Sequence, residues 1–252
     1  MSTGVPKRDL SWLVERPIAH RGLHDKSQGI VENTATAFAE AIQSDYAIEC
    51  DLQLSADGEA MVFHDEILDR LAEGEGSVNN FTSAELQSTK LKFTADRMQT
   101  LAQMLEQIGG RCTLVIEIKS LWDGNTALVT RAVEVLRGYN GPYCLMSFDP
   151  DMLMALRQLS PDTVRGIVAD RATDPYYDFL PPDRRQELQT LSHMARTQPH
   201  FVSFDWKDLP YEPIRAIREQ GHPVITWTLR SKEDASRALK HCDQITFEGF
   251  RP

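Results

Sequence analysis

The sequence predicts an α/β protein built as a (β/α)8 barrel, the TIM-barrel class, on two observations. Short apolar runs alternate with amphipathic stretches eight times along the chain, which is typical of a parallel sheet joined by crossover helices. The length of 252 residues suits one large α/β barrel. We therefore expect a single domain over residues 1–252, with an open doubly wound sheet as the alternative.

The predicted strands are the short apolar runs, which cover residues 17–22, 46–54, 113–120, 143–148, 164–170, 201–206, 223–229 and 244–247. The predicted helices lie between them and carry apolar residues at helical spacing, over residues 33–43, 100–108, 126–136, 150–159, 184–196, 210–219 and 231–240. Residues 9–15 are expected to form a short helix that closes the base of the barrel.

Two segments interrupt the alternation. The turn signal Asp57-Gly58 is followed by a short extra strand over residues 60–63. Residues 65–97 are polar and punctuated by glycine, and they are too many for an ordinary loop, so we expect a small insertion on the rim after the second strand. Residues 171–183, with Asp174-Pro175 and Pro181-Pro182, are expected to form a second rim loop. Since barrel active sites lie where the strands end, both segments are expected to shape the pocket.

Composition excludes several classes of protein. The chain is 41% hydrophobic and 25% charged, as expected of a globular enzyme. No apolar run approaches the roughly 20 residues that a membrane span requires, and no secretory signal is found, so we expect a cytoplasmic protein without stable membrane insertion. The formal charge of -10 opposes binding to nucleic acid. Four widely spaced cysteines without a CxxC pair argue against a disulfide framework.

Acidic residues interrupt two of the predicted strands. Glu49 and Asp51 are two apart and share a face, and so do Glu117 and Lys119 on the third strand. Carboxylates together inside a barrel are costly without a cation, and a hard divalent ion with oxygen ligands removes that cost. The alternatives are one solvent-exposed strand face and an ordinary cross-strand ion pair. The pattern favours a metal and anion site.

Two histidines lie at the ends of strands beside these carboxylates. His20 ends the first strand and is followed by Arg21, and His64 ends the short extra strand. A single histidine in such a place is more often structural, but two of them provide the acid/base pair that cleavage of a phosphodiester requires. Arg21 offers a planar fork of donors for phosphate oxygens, and Lys119 offers a point charge. The other five histidines are assigned no role.

These residues occur in motifs that resemble the glycerophosphodiester phosphodiesterase family over essentially the whole chain. The most specific ones lie in the first 65 residues, and the full set is Ile18-Ala19-His20-Arg21-Gly22, Glu32-Asn33-Thr34 with Phe38, Ile48-Glu49-Cys50-Asp51, Asp57-Gly58, Val62-Phe63-His64-Asp65, Thr100-Leu101, Ile116-Glu117-Ile118-Lys119, Ser147-Phe148 and Thr226-Trp227-Thr228. The family's fold is a (β/α)8 barrel with an insertion after the second strand.

The resemblance implies a small-molecule substrate and the hydrolysis of a glycerophosphodiester to sn-glycerol 3-phosphate and an alcohol. Carried over onto matching positions, the implied metal ligands for Mg2+ or Ca2+ are Glu49, Asp51 and Glu117, the implied acid/base pair is His20 and His64, and the implied substrate contacts are Arg21 and Lys119 for the phosphate and Trp227 for the glycerol. Glu32 and Asn33 are expected to organise the first loop and cap its helix.

The chain departs from the family in two places. The family usually ends its eighth strand with Thr-Asp-x-Pro, whereas this chain has Thr246-Phe247-Glu248-Gly249, and the first loop is longer around residues 24–29. We expect neither departure to touch a metal or acid/base residue.

Three other functions are alternatives: phospholipase D-type hydrolysis of lysophospholipids, a non-catalytic barrel that binds glycerophosphate, and an aldolase-like barrel with Lys119 as a Schiff-base lysine. The carboxylate two residues from Lys119 opposes the last, because it would hold the amine protonated.

Overall fold

The computed structural model describes residues 8–252 and confirms the barrel. Its strands are β1 (Ile18–Ala19), β2 (Ala47–Leu54), β3 (Ala60–Val62), β4 (Leu114–Ile118), β5 (Tyr143–Ser147), β6 (Arg165–Ala169), β7 (Phe201–Asp205), β8 (Val224–Leu229) and β9 (Gln244–Phe247). All except β3 are parallel, and the sheet closes because β1 pairs with both β2 and β9. β3 pairs antiparallel with β2, as the turn signal before it predicts. Residues 1–7 of the expected domain lie outside the described residues.

The helices alternate with the strands and cover the outside of the barrel. They are α1 (Ser11–Val14), α2 (Ala35–Gln43), α3 (Ser83–Ser88), α4 (Leu101–Ile108), α5 (Ala127–Leu136), α6 (Pro150–Leu159), α7 (Pro182–Thr190), α8 (Met194–Thr197), α9 (Glu212–Glu219) and α10 (Lys232–Ala238). In residues 8–252, no helix combines the length and the apolar character needed to cross a membrane.

One predicted helix is wrong in its extent. The segment 184–196 is divided between α7 and α8, and it begins two residues early, at Pro182. α7 ends at Thr190 and is followed by Leu191, which takes a left-handed conformation with φ 54°. The turn leaves the Leu191 side chain buried in the outer core, together with Met194 of α8. The apolar spacing reads as one helix because it does not show this change of direction.

Two apolar layers hold the barrel together. The outer layer lies between helices and strands, and the inner layer fills the lower half of the barrel. α1 closes the base, as predicted: Leu13 is fully buried in the inner layer. Thr113, just before β4, donates its hydroxyl to the Trp12 carbonyl at 3.1 Å, and Gln244 of β9 donates to the Val14 carbonyl at 2.9 Å. The base is therefore sealed, and the opposite end remains for a site.

The inner layer makes a test of the packing possible at Gly166 on β6. A Cβ built there would overlap the ring of Phe201, which is fully buried. Gly166→Ala is therefore expected to lower the free energy of unfolding by about 1–3 kcal/mol, the usual cost of overpacking a core. Urea unfolding measures the change, with Gly74→Ala as control because its Cβ would meet only side-chain methyl groups, those of Leu68 at 3.2 Å and Thr89 at 3.6 Å. An unchanged midpoint for Gly166→Ala would contradict this packing.

The segment 65–97 forms a rim structure with its own small core. Its apolar centre includes Leu68, Leu71, Val78 and Leu86 and continues into β3 through Met61. It also contains α3, which starts with a capping box between Thr82 and Glu85 and was not predicted. On the other side of the rim, the loop 171–183 packs Tyr177 and Leu180 beside Trp122.

Candidate active site

Three carboxylates meet inside the barrel toward the ends of β2 and β4. Glu49 and Asp51 alternate along β2, and Asp51 lies opposite Glu117 in the parallel register of the two strands. All three are buried, and each offers an oxygen within 4.8 Å of the others. A purely oxygen donor set of this kind suits Mg2+ or Ca2+.

The charges around the triad do not balance it. Lys119 Nζ lies 2.8 Å from Asp51 Oδ1 and 2.5 Å from Glu117 Oε1. Burial raises the pKa of Asp51, but Lys119, His64 and Arg21 outweigh burial and hold it well below its usual range. The pKa of Glu49, in contrast, is raised well above its usual range by burial and by the charges of Asp51 and Glu117. A divalent cation would relieve that repulsion, so the residues present fit a metal.

Lys119 remains protonated in this setting. Burial lowers its pKa, but the charges of Asp51 and Glu117 outweigh burial and raise it. An ammonium held between two carboxylates cannot attack a carbonyl carbon, so the Schiff-base alternative loses its basis.

Both predicted histidines bind a carboxylate through Nδ1. His20 Nδ1 lies 2.6 Å from Glu248 Oε2, and His64 Nδ1 lies 2.7 Å from Asp65 Oδ1. His20 Nε2 is left on the side of the triad, 4.0 Å from Glu49 Oε2. Burial lowers the pKa of His20 to about 4, so the ring is neutral at pH 7. A neutral imidazole with Nδ1 donating has its lone pair at Nε2.

The atypical end of the last strand does touch an acid/base residue, so that expectation is wrong. Glu248, which follows β9 directly, is the partner of His20. It also binds Arg230 at 2.7 Å and has His24 Nε2 at 3.6 Å. His24, which was assigned no role, therefore belongs to the same cluster.

The first loop is organised differently from the prediction. Thr34 caps α2 by accepting from the Ala37 amide, so Asn33 is not the cap. Asn33 instead donates to Asp51 Oδ2 at 2.8 Å, from a left-handed backbone conformation with φ 55°. In the sequence, an asparagine just before a helix resembles a cap. In the structure, the Asn33 side-chain amide instead points into the barrel, toward Asp51.

Glu32 connects the first loop to the rim insertion. It accepts from Arg21 Nη1 at 2.6 Å and from both terminal nitrogens of Arg70. Arg70 in turn holds Asp65, the partner of His64, through Nε at 2.6 Å. Within residues 8–252, Arg21 Nε is buried without a hydrogen bond, and its ion pair with Asp51 Oδ2 is long at 3.5 Å, so this N–H can donate to a ligand.

Every predicted site residue lines one cavity of about 280 Å³ at this end of the barrel; its lining includes His20, Arg21, Glu49, Asp51, His64, Glu117, Lys119 and Trp227. Trp227 donates its indole N–H to the Ser203 carbonyl at 3.2 Å and packs edge-on against Phe148. A larger cavity of about 840 Å³ adjoins it and extends to the loop 171–183. His64 borders both cavities, whereas His20 lines only the smaller one.

Several lining residues were missed by the sequence reasoning. Lys207 and Asp205 at the end of β7 line both cavities, and Arg230 after β8 lines the smaller one. No ion pair to Lys207 is found in residues 8–252, so its charge is available to an anion. Lys207 directly follows the predicted strand 201–206, and this position at a strand end was the sequence signal that could have identified it.

Comparisons with known proteins agree on one family. The model of the glycerophosphoryl diester phosphodiesterase family matches residues 20–242. A glycerophosphodiester phosphodiesterase of Caldanaerobacter subterraneus subsp. tengcongensis is 30% identical over 88% of this chain and 89% of its own length. A glycerophosphodiester phosphodiesterase of Bacillus subtilis is 26% identical over 88% of this chain and 79% of its own length.

Solved structures show the same fold. An Oleispira antarctica phosphodiesterase, in complex with the product sn-glycerol-3-phosphate, superposes with a TM-score of 0.77 and 22% identity over 94% of both chains. A glycerophosphodiester phosphodiesterase of Thermotoga maritima gives a TM-score of 0.70 and 24% identity over 91% of this chain and 92% of its own.

Proposed function

The chain belongs to the glycerophosphoryl diester phosphodiesterase family, and we propose that it hydrolyses glycerophosphodiesters to sn-glycerol 3-phosphate and an alcohol in the smaller cavity. It is accordingly a phosphoric diester hydrolase. The observation that carries the proposal is the convergence of the carboxylate triad and two carboxylate-bound histidines on one cavity. The Oleispira antarctica relative in complex with sn-glycerol-3-phosphate supports the choice of product.

Glu49, Asp51 and Glu117 would hold the divalent ion, Mg2+ or Ca2+. When bound, such an ion neutralises phosphate charge and polarises the phosphoryl oxygens. Asn33 fixes Asp51 for this task through its 2.8 Å hydrogen bond, and the Arg21 amide fixes Glu49 Oε2 at 2.9 Å. The ligands are thereby oriented by groups that do not bind the metal themselves.

The two histidines divide the proton transfers. His20 Nε2, on the side of the triad, takes the proton from the attacking oxygen, which belongs either to water or to the glycerol of the substrate. Attack by the glycerol hydroxyl forms a cyclic phosphate, and water then adds to its phosphorus and breaks one ring P–O bond to give sn-glycerol 3-phosphate. His64, at the border with the larger cavity, gives a proton to the oxygen of the leaving alcohol. The P–O bond to the alcohol breaks as that oxygen is protonated.

Cationic side chains around the triad would bind the phosphate oxygens. Arg21 has a buried Nε that makes no hydrogen bond in the described part of the chain and lies 3.5 Å from Asp51 Oδ2, and Lys119 lies at the triad itself. Trp227 forms an apolar wall of the smaller cavity, and we propose that it lines the glycerol.

The larger cavity would take the alcohol group of the substrate. Aromatic rings line it, among them Trp122, Tyr176 and Phe148, together with the carboxylates of Asp170 and Asp205. Burial raises the pKa of Asp170, and the nearby charges of Asp208 and Asp174 raise it further, so this part of the cavity favours a positive charge. Rings and carboxylates together favour a cationic alcohol such as choline.

Tyr176→Ala tests this assignment of the larger cavity. Because a cation–ring contact contributes about 0.5–1 kcal/mol at exposed sites, the KM for glycerophosphocholine should rise by about two- to fivefold while kcat changes little. The KM for glycerophosphoglycerol, whose alcohol is neutral, should stay the same. Phe93→Ala is the control, since Phe93 is exposed and lies outside both cavities. An equal change in KM for both substrates would refute a cationic subsite.

One observation favours a second substrate, a lysophospholipid cleaved in phospholipase D fashion. Leu121 and Tyr176 line the larger cavity and are 44% and 66% exposed, and Phe179 beside Tyr176 is 57% exposed. Apolar side chains in water at the mouth of a site are suited to contact an acyl chain.

A coupled assay for glycerol 3-phosphate tests the proposed function. The protein is incubated with glycerophosphocholine in EDTA, then with added Mg2+ or Ca2+, and lysophosphatidylcholine is tested in parallel by choline release. Metal-dependent release of glycerol 3-phosphate supports the proposal, and faster choline release from the lysophospholipid favours the second substrate. No release from either would leave a barrel that only binds glycerophosphate.

The four cysteines are unpaired and buried, which supports the further proposal of a cytoplasmic location.

A further inference from the structure

We propose that Glu248, itself fixed by Arg230, is a positioning residue that holds the His20 ring in the tautomer and orientation needed at the site. The activity part of this inference rests on the proposed function, whereas the tautomer of His20 does not. Glu248 is not expected to touch the substrate, because both of its oxygens are already bound by the protein.

The two oxygens of Glu248 have separate partners. Oε2 accepts from His20 Nδ1 at 2.6 Å, and Oε1 accepts from Arg230 Nε at 2.8 Å. The Glu248 side chain is 18% exposed and the His20 side chain 14% exposed, so both are largely shielded from water. A carboxylate bound at both oxygens cannot rotate without losing one contact, which makes it a rigid support for the ring.

The backbone fixes both ends of this contact. The His20 amide donates to the Phe247 carbonyl at 2.9 Å, where β1 and β9 pair. The Glu248 amide donates to the Leu229 carbonyl at 3.0 Å, at the end of β8. His20 directly follows β1 and Glu248 directly follows β9, and backbone hydrogen bonds tie them to β9 and β8. The sheet therefore sets the distance between the two residues.

The chemical consequence concerns the other ring nitrogen. With Nδ1–H donating to Glu248, the lone pair of a neutral ring lies at Nε2, the atom on the side of the triad. After Nε2 takes a proton, the carboxylate stabilises the imidazolium that results, as in other carboxylate–histidine pairs. Without Glu248 the ring is free to rotate and to exchange tautomers.

The second histidine shows the same construction, which supports a functional reading. His64 donates to Asp65, and Asp65 is bound by Arg70 at both oxygens. On both sides of the cavity, an arginine thus binds a carboxylate, and that carboxylate binds the imidazole. Mere fastening of β9 to β8 does not require the histidine, since the Glu248 amide and the Arg230 ion pair already do this.

Glu248→Ala is the first variant. We expect kcat for glycerophosphocholine to fall by about 10- to 100-fold, a part of the 10²–10⁴ that acid/base catalysis contributes, while KM changes by less than about threefold. The metal-induced rise in Tm should remain as in the wild type, because the triad is untouched. Glu212→Ala is the matched control: Glu212 is also bound by an arginine, Arg215, but lies outside both cavities and should leave kcat unchanged.

Two further measurements separate positioning from a structural role. In the background His20→Ala, removal of Glu248 should cause no additional loss of kcat, because the residue that it positions is absent. Glu248→Gln keeps the volume, guards against a folding defect of the alanine variant, and should also lower kcat because the charge is lost. An equal loss in both backgrounds, or wild-type kcat for Glu248→Gln, would overturn the proposal.

The tautomer itself is measured by long-range ¹H–¹⁵N NMR of His20 in the full chain, and this readout needs no activity. The wild type should show protonated Nδ1 and unprotonated Nε2, and Glu248→Ala should show a mixture of tautomers. Protonated Nε2 in the wild type at pH 7 would refute the inference even if the enzyme is active. Absence of hydrolysis together with the expected tautomer would instead refute only the proposed function.

Discussion

Glu49→Gln is expected to lower the metal-dependent release of glycerol 3-phosphate by about 10³-fold or more, since metal stabilisation of transition-state charge is worth several kcal/mol. The glutamine fills the same volume and still accepts from the Arg21 amide, which donates to Glu49 at 2.9 Å. It provides no negative charge, so the affinity for Mg2+ or Ca2+ falls. The rise in Tm on addition of metal should disappear for the same reason.

The same substitution has an opposite effect on the metal-free protein. Burial, together with the repulsion among the three buried carboxylates, raises the pKa of Glu49. Glu49→Gln removes one of them, so the free energy of unfolding in EDTA should stay equal or increase. Glu212→Gln, on the exposed surface, is the control for a neutralised glutamate. A variant that keeps its metal-dependent Tm shift would exclude Glu49 as a ligand.

His64→Ala is expected to slow hydrolysis of glycerophosphocholine by about 10²–10⁴-fold, the usual contribution of a positioned acid or base. The loss should depend on the leaving group. The p-nitrophenyl ester of glycerol 3-phosphate releases a stable p-nitrophenolate, which needs no proton. His64→Ala should therefore slow the hydrolysis of this substrate by less than about tenfold. His20→Ala should slow both substrates strongly, because its proton transfer concerns the attacking oxygen.

The comparison of the two histidine variants is its own control. Both rings bind a carboxylate through Nδ1 and both line the smaller cavity, so a general disturbance of the site would affect the two substrates alike. A loss for His64→Ala that is equal for choline and p-nitrophenol esters would contradict its role as the acid. A loss for His20→Ala that vanishes with the p-nitrophenyl ester would exchange the two roles.

Local patterns predicted most of the barrel and which residues meet in the candidate site. Alternation along β2 placed Glu49 and Asp51 on one face, and strand order brought Glu117 beside them, so the triad follows from a period of two and a parallel sheet. His20 and His64 followed from their places at strand ends. Each of these inferences needs only a few neighbouring residues and the fold class.

The partners of these residues were beyond such patterns. Glu248 reaches His20 across 228 positions of the chain, and Arg70 reaches Glu32 from the rim insertion. Asn33 binds Asp51 instead of capping α2 because the first loop turns inward with a left-handed residue. Contacts of this kind depend on how loops close over the barrel end, and no period in the sequence encodes that.

The most direct test is a metal titration of glycerol 3-phosphate release from glycerophosphocholine, with the wild type and Glu117→Gln side by side. Starting from EDTA-treated protein, the wild-type rate should rise from near zero to saturation with Mg2+ or Ca2+. Glu117→Gln should need at least about tenfold more metal, as expected when a site loses a charged ligand. Release that is unaffected by EDTA, or titrations that coincide for the two proteins, would contradict a catalytic metal at Glu49, Asp51 and Glu117.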